Sequence, residues 1–99
     1  MPDISARLRL EWSARARRDL LSIDAFYSQF GAAIAHRVTG AIVEAAVILE
    51  LNPLIGVKGK RQGTRHRLIA EYPYCIVYRA KPTAVQIVRV LHQSRKYFN

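Results

Sequence analysis

The sequence contains one cysteine and no long apolar run, and both absences narrow the class of protein. A single thiol, Cys75, cannot form a disulfide within the chain, and this suits a reducing compartment. No stretch approaches the roughly 18–20 consecutive apolar residues of a membrane-spanning helix. The opening MPDISARLRLEW lacks the apolar core of an export signal. We therefore expect a cytoplasmic protein that makes no membrane contact.

Acidic residues are scarce in the second half of the chain. Residues 1–55 contain six Lys or Arg and six Asp or Glu, whereas residues 56–99 contain ten Lys or Arg and one acid, Glu71. The whole net charge of +9 therefore comes from the last 44 residues (10 − 1 = 9). A merely solubilising surface would carry both signs. An excess of positive charge in one half of the chain predicts an anionic partner, either a nucleic acid or an acidic protein segment.

Signatures of metal, cofactor and covalent chemistry are also missing. His36, His66 and His92 are far apart in the sequence, and no His-x₃-His or Cys-x-x-Cys pair occurs. The glycine-rich GVKGKRQGT (56–64) lacks the GxxxxGK[ST] order of a phosphate-binding loop. Every acid except Glu71 lies within the first 50 residues, so a Ser-His-Asp triad is not expected. We predict no metal and no cofactor.

The first half of the chain predicts one strand followed by a helical hairpin. RLRLEW alternates apolar and charged residues, and this is typical of a half-buried strand over residues 6–12. Ser13 is a plausible N-cap for a first helix, which Gly31 would end. A second helical pattern runs from about residue 32 to residue 51, where NPLIG (52–56) ends it. Residues 14–51 are thus the predicted hairpin.

The second half predicts a loop and three strands. Residues 56–64 have little to bury and are interpreted as a loop. Three β-rich runs follow at residues 65–72, 74–80 and 84–91, with separations too short for crossover helices. The 99 residues are enough for one domain, residues 1–99. The predicted fold class is α+β, with a helical hairpin packed on an antiparallel sheet in the order β-α-α-β-β-β.

Basic side chains are the candidate functional residues, because a meander would bring them to one end and one open face of the sheet. They could clamp phosphate while His92 transfers a proton, or they could hold a protein segment or a DNA backbone without any chemistry. An ordinary hydrogen-bonded histidine is an equally acceptable interpretation of His92. The candidate binding set is Lys58, Lys60, Arg61, Arg65, Arg67, Arg79, Arg89, His92, Arg95 and Lys96.

Several motifs in order resemble the RelE/ParE superfamily of type II toxin–antitoxin toxins along nearly the whole chain. The first helix has that family's Trp-Ser opening and its spacing of Ala16, Asp19, Ile23 and Tyr27. The later motifs are LNPLIG (51–56), GTRHRLI (63–69), PYCIVYRA (73–80) and IVRVLHQSR (87–95). The resemblance implies the order β-α-α-β-β-β and an acidic or amphipathic antitoxin that wraps the toxin in a hetero-oligomer.

Two activities are known in this superfamily, and the resemblance implies one or the other. ParE-like members poison DNA gyrase, whereas RelE-like members cleave messenger RNA on the ribosome. Where the ribonuclease branch tends to carry an arginine in its central strand, this chain has Cys75. The ending LHQSR is also closer to the ParE-like form, so a gyrase poison that is not an enzyme is favoured. A ribonuclease would instead use Arg65, Arg67, His92, Arg95 and Tyr97.

A third possibility is a basic nucleic-acid-binding module that is not a toxin. Expression of the chain alone would distinguish the two, because a toxin should stop growth and a simple binding module should be tolerated.

Overall fold

The computed structural model describes residues 8–94. The elements in chain order are β1 (Arg9–Trp12), α1 (Ala14–Ser28), α2 (Ala32–Ile48), β2 (Val57–Lys58), β3 (Arg65–Leu68), β4 (Tyr74–Ala80) and β5 (Ala84–His92). Two helices pack on a five-stranded sheet, and this confirms the α+β class and the helical hairpin. Among the described residues, no helix is long and apolar enough to cross a membrane.

Ser13 joins the first strand to the first helix. Its side-chain oxygen accepts from Ala16 N at 3.0 Å, as expected of an N-cap, and its hydroxyl donates to Val88 O at 2.8 Å. The backbone N of Ser13 also donates to Ile87 O at 2.9 Å. These bonds fix the start of α1 to strand β5.

Gly31 lies between the two helices. Its φ of +131° is a conformation that a residue with a Cβ atom rarely adopts, so glycine suits this tight connection. The inner side of the hairpin is largely made of small and branched residues. Its fully buried members include Ala16, Ala35, Val38, Ile42 and Ala46.

The sheet has the strand order β1-β5-β4-β3-β2. Strands β2 to β5 are antiparallel neighbours, but β1 is parallel to β5 and pairs Arg9 with Ala84 and Trp12 with Ile87. The expected all-antiparallel sheet is therefore wrong at this edge. Alternation along a strand indicates which face each residue occupies, but it does not indicate the direction of the neighbouring strand.

The predicted loop over residues 56–64 contains a short strand, β2, that the sequence pattern did not indicate. Val57 pairs with His66 and Lys58 with Arg65, and both residues of β2 are exposed. Two exposed residues beside glycines bury nothing, so no apolar alternation marks them as a strand. The predicted strand over residues 65–72 is correspondingly shorter, since β3 ends at Leu68.

Residues alternate between the two faces of the sheet. Ile76, Tyr78 and Ile87 belong to the core beneath the helices. Cys75, Val77, Val88 and Leu91 form a second, smaller apolar cluster. Because neighbours along a strand point to opposite sides, this cluster lies on the face opposite the helices, which we call the helix-free face.

Candidate functional site on the helix-free face

The two faces of the sheet separate the basic residues that the sequence analysis grouped together. Arg65 pairs with Tyr78 and Arg67 pairs with Ile76, and both partners belong to the core beneath the helices. Paired residues of an antiparallel ladder share a face. The expectation that both arginines lie on the open face is therefore wrong, and His66, which lies between them, occupies that face.

Arg65 and Arg67 lie against other parts of the fold on the helix side of the sheet. The Arg65 Nη1 donates to Gly56 O at 2.8 Å and to Leu54 O at 3.4 Å, so it braces the connection that follows α2. The Nε of Arg67 is buried and has no hydrogen-bond partner among the described residues. Arg67 lines a small depression beneath α2 together with Glu44 and Glu71.

His92 also lies on the helix side. It pairs with Tyr74, and the two rings make an edge-to-face contact with centroids 5.5 Å apart. Its Nδ1 lies 2.8 Å from Ser94 Oγ and accepts from Ser94 N at 3.1 Å. These bonds fit the interpretation of His92 as a hydrogen-bonded residue at the sheet edge.

A cavity of about 450 Å³ lies on the helix-free face, and we call it the helix-free cavity. Its floor is apolar, and its polar lining comes from the start of α1, the loop before β3, and strands β3 and β5. The lining residues are Ser13, Arg15, Arg61, Thr64, His66, Val77, Val88, Arg89 and Leu91.

The charged side chains around this cavity differ in how readily they can bind a ligand. Arg89 is held by Asp19, with Nε–Oδ2 2.8 Å and Nη2–Oδ1 3.1 Å, and Asp19 also accepts from Val90 N at 2.9 Å. Burial lowers the pKa of His66 and so favours its neutral imidazole over the charged form. Arg15 and Arg61 are exposed. The positive charge that can meet a ligand thus comes mainly from these two arginines.

The remaining predicted residues are dispersed. Arg79 follows Val77 on the helix-free face, and its Nη1 donates to Gln62 O at 3.1 Å. Lys58 and Lys60 are exposed on β2 and on the loop that follows it. Arg95, Lys96 and Tyr97 lie outside the described residues. Of the predicted set, Arg61 and Arg89 line the cavity.

Sequence reasoning missed three residues that line the cavity. No motif singled out Arg15, Ser13 was predicted only as a helix cap, and His66 was tested only as a metal ligand. Strand parity could have found His66, because it alternates with the two arginines beside it. Arg15 could not have been found this way, since its place depends on how α1 docks against β5.

The arrangement is suited to binding an anion, and it does not bring His92, Arg65 and Arg67 together at the cavity. His92 is on the other face, and Cys75 occupies the neighbouring position on β4 as a buried thiol whose pKa burial raises to about 11. No group of three or more His, Cys, Asp or Glu that could hold a metal occurs within residues 8–94.

The sequence matches the model of a known protein family. The family model described as the ParE toxin of the type II toxin–antitoxin system parDE matches residues 10–97. The chain belongs to the ParE toxin family. It is 33% identical over 92 residues to a protein of Sinorhizobium fredii named "Putative toxin Y4kP", and the match covers 93% of this chain and 95% of that protein.

Solved structures agree with the ParE assignment. The chain resembles a chain of the chromosomal ParDE toxin–antitoxin system of P. aeruginosa, with a TM-score of 0.80, 26% identity, and coverage of 89% of this chain and 98% of that one. It resembles a chain of the toxin–antitoxin complex RelBE2 of Mycobacterium tuberculosis with a TM-score of 0.64, 28% identity, and coverage of 87% and 98%. The chain therefore has the same fold as solved structures from both the ParE and the RelE branches.

Proposed function

We propose that this ParE-family toxin acts in the cytoplasm by inhibiting DNA gyrase, and that a cognate antitoxin neutralises it. The observation that carries the proposal is the separation of the groups that RNA cleavage would need. His92, Arg65 and Arg67 lie on the helix side, whereas the cavity contains His66, whose neutral form is favoured, and an Arg89 already paired with Asp19. A docking surface needs no converging acid and base, so this arrangement favours inhibition by binding.

Purified gyrase tests the target directly. Supercoiled DNA, gyrase and ATP are incubated with the purified chain, and the products are separated after denaturation. We expect cleaved DNA to accumulate as the chain is titrated. In a parallel translation reaction, ribosome-bound messenger should stay intact. Cut messenger together with uncut DNA would refute the gyrase proposal.

The antitoxin proposal is supported by exposed apolar residues that follow α2. Leu51, Leu54, Ile55 and Val57 are each more than half exposed, and they lie beside the basic second half of the chain. An antitoxin segment that combines apolar and acidic side chains would suit both features. We expect the toxin–antitoxin affinity to fall as salt rises, because part of the attraction is electrostatic. An affinity unchanged by salt would show that the contacts are mainly apolar.

A RelE-like messenger endonuclease is the second candidate. Similarity to a chain of the RelBE2 complex at 28% identity favours it, and His66 has an imidazole whose neutral form is favoured and that could act as a base in the cavity. For either toxin, expression of the chain alone should arrest growth, and co-expression of the antitoxin should restore it. Normal growth without the antitoxin would favour a non-toxic nucleic-acid-binding module.

A further inference from the structure

We infer that the helix-free cavity binds the phosphodiester backbone of DNA, so that the toxin touches DNA directly when it acts with gyrase. The inference deepens the proposed function and rests on it for the choice of DNA as the polyanion. It assigns phosphate binding to Arg15 and Arg61, two residues 46 positions apart in the sequence (61 − 15 = 46) that the fold brings to one cavity.

The sign of the charge points to an anionic ligand. Among the residues that line the cavity, none is acidic. Asp19 contacts one lining residue, Arg89, and its carboxylate accepts hydrogen bonds from that side chain and from the backbone N of Val90. Arg15 and Arg61 therefore have no carboxylate in the cavity to neutralise them, and a phosphate group could accept hydrogen bonds from either guanidinium.

The position of α1 adds to this field. Ser13 and Arg15 both line the cavity, so the first turn of a 15-residue helix lies at its rim. The positive end of a helix dipole favours a negative group nearby. Arg79 lies on the same face beyond Val77 and extends the cationic surface away from the cavity. A chain of repeated phosphates suits such an extended surface better than a single acidic side chain.

The lining favours DNA over RNA. The floor of Val77, Val88 and Leu91 is apolar and suits the carbons of a deoxyribose. The two hydroxyl protons in the lining are already donated, from Ser13 to Val88 O and from Thr64 to Arg61 O. Neither hydroxyl therefore has a proton left to donate to a ribose 2′-OH, the group that distinguishes RNA, so the two hydroxyls do not read that group as donors.

The test measures binding of a short fluorescent DNA duplex to the full chain by anisotropy, over a range of salt and without gyrase. We expect Arg15→Gln and Arg61→Gln each to weaken binding about tenfold and to reduce the slope of log affinity against log salt by about 1. Arg37→Gln is the matched control, because it removes the same charge from the exposed side of α2 in the helical layer. It should change the affinity by less than about twofold.

Several outcomes would overturn the inference. If Arg37→Gln weakens binding as much as Arg61→Gln, the attraction belongs to the diffuse net charge and not to the cavity. Tighter binding of an RNA of the same sequence would assign the cavity to RNA. If the cavity variants lose antitoxin binding while DNA binding is unchanged, the site belongs to the antitoxin.

Gyrase trapping is scored separately with the same variants, so that failure of the inference and failure of the proposed function are distinguishable. Trapping that is equally efficient with wild type and Arg61→Gln overturns DNA contact through the cavity. DNA binding that depends on Arg61, together with no trapping, upholds the cavity and refutes gyrase as the target.

Discussion

The side chain of Cys75, on strand β4, is poorly suited to catalysis. Its side chain is fully buried, and its Sγ lies 3.7 Å from Ile76 O. Burial raises the pKa of the thiol to about 11 from an ordinary value near 9. The thiolate is the reactive form of cysteine, so the native protein has almost none at neutral pH. The position therefore supplies neither a nucleophile nor a cation to the helix-free face.

The raised pKa of Cys75 predicts a loss of stability at alkaline pH. The unfolded chain releases this proton near pH 9 and the folded chain near pH 11, so stability is fully present below about pH 9 and falls between these values. We expect the melting temperature to decline across this window. In Cys75→Ala the decline should be shallower. An equally steep decline in that variant would assign the effect to other groups, such as Tyr74, whose pKa burial raises to about 12.

The hydroxyl group of Tyr78 gives this residue its structural role. Its hydroxyl donates to Pro53 O at 2.7 Å and accepts from Gly56 N at 2.9 Å, so it fastens the connection after α2 to the centre of the sheet. Tyr78→Phe leaves a buried N–H without its partner and should cost about 1–3 kcal/mol. Urea unfolding measures this loss.

Tyr72→Phe provides the control for Tyr78. Tyr72 is half-buried, and its hydroxyl has no hydrogen bond shown within the described residues, so the free energy of unfolding should change little. A loss in Tyr72→Phe as large as in Tyr78→Phe would show that ring packing, not the two hydrogen bonds, is what each substitution disturbs.

At the scale of the elements, the two glycines of the helical hairpin predict opposite effects of the same substitution. Gly31 has a φ of +131°, whereas Gly40 lies inside α2, where an added Cβ would meet nothing within 4 Å. Gly31→Ala should destabilise the protein by about 1–3 kcal/mol, because alanine is strained there. Gly40→Ala should stabilise it by about 0.5–1 kcal/mol through better helix propensity.

Thermal unfolding of both glycine variants checks this pair. Equal effects in the same direction would contradict the assignment of Gly31 to the hairpin turn. The comparison is well matched, because each variant adds one methyl group at an exposed position of the same hairpin.

The elements also show what local pattern predicts. Periodicity located both helices and strands β1, β3, β4 and β5, because a buried stripe must repeat at the period of its element. Gly31 and Ser13 marked helix ends for stereochemical reasons that are local. The parallel pairing of β1 with β5 was missed because it joins residues 75 positions apart, such as Arg9 and Ala84. The exposed strand β2 was missed because it buries nothing.

At the scale of the whole molecule, charge predicted a partner but not the place where it binds. The sequence located the excess of positive charge in residues 56–99, yet the structure divides those residues between two faces. Arg89 was predicted as a binding residue, but its guanidinium forms an ion pair with Asp19 within the fold. The cavity depends on α1 docking beside β5, and this packing brings Arg15 close to residues far away in the sequence.

His92 and His66 together distinguish the two possible targets, gyrase and ribosome-bound messenger. His92 lies on the helix side against Tyr74, whereas His66 lines the helix-free cavity. A gyrase poison requires no proton transfer, so His92→Ala should still arrest growth and still trap cleaved DNA. A ribonuclease with His92 as its acid or base should lose about 10²–10⁴-fold in cleavage rate on this substitution.

His66→Ala is the companion variant for the target test, with folding checked by circular dichroism. For a gyrase poison, His92→Ala should still arrest growth, and neither the wild type nor either histidine variant should cut ribosome-bound messenger, because neither imidazole moves a proton. Messenger that is cut by the wild type and spared by His66→Ala alone would place a ribonuclease centre in the helix-free cavity. Messenger spared by His92→Ala alone would place that centre at the end of β5. Either result would reverse the choice of gyrase.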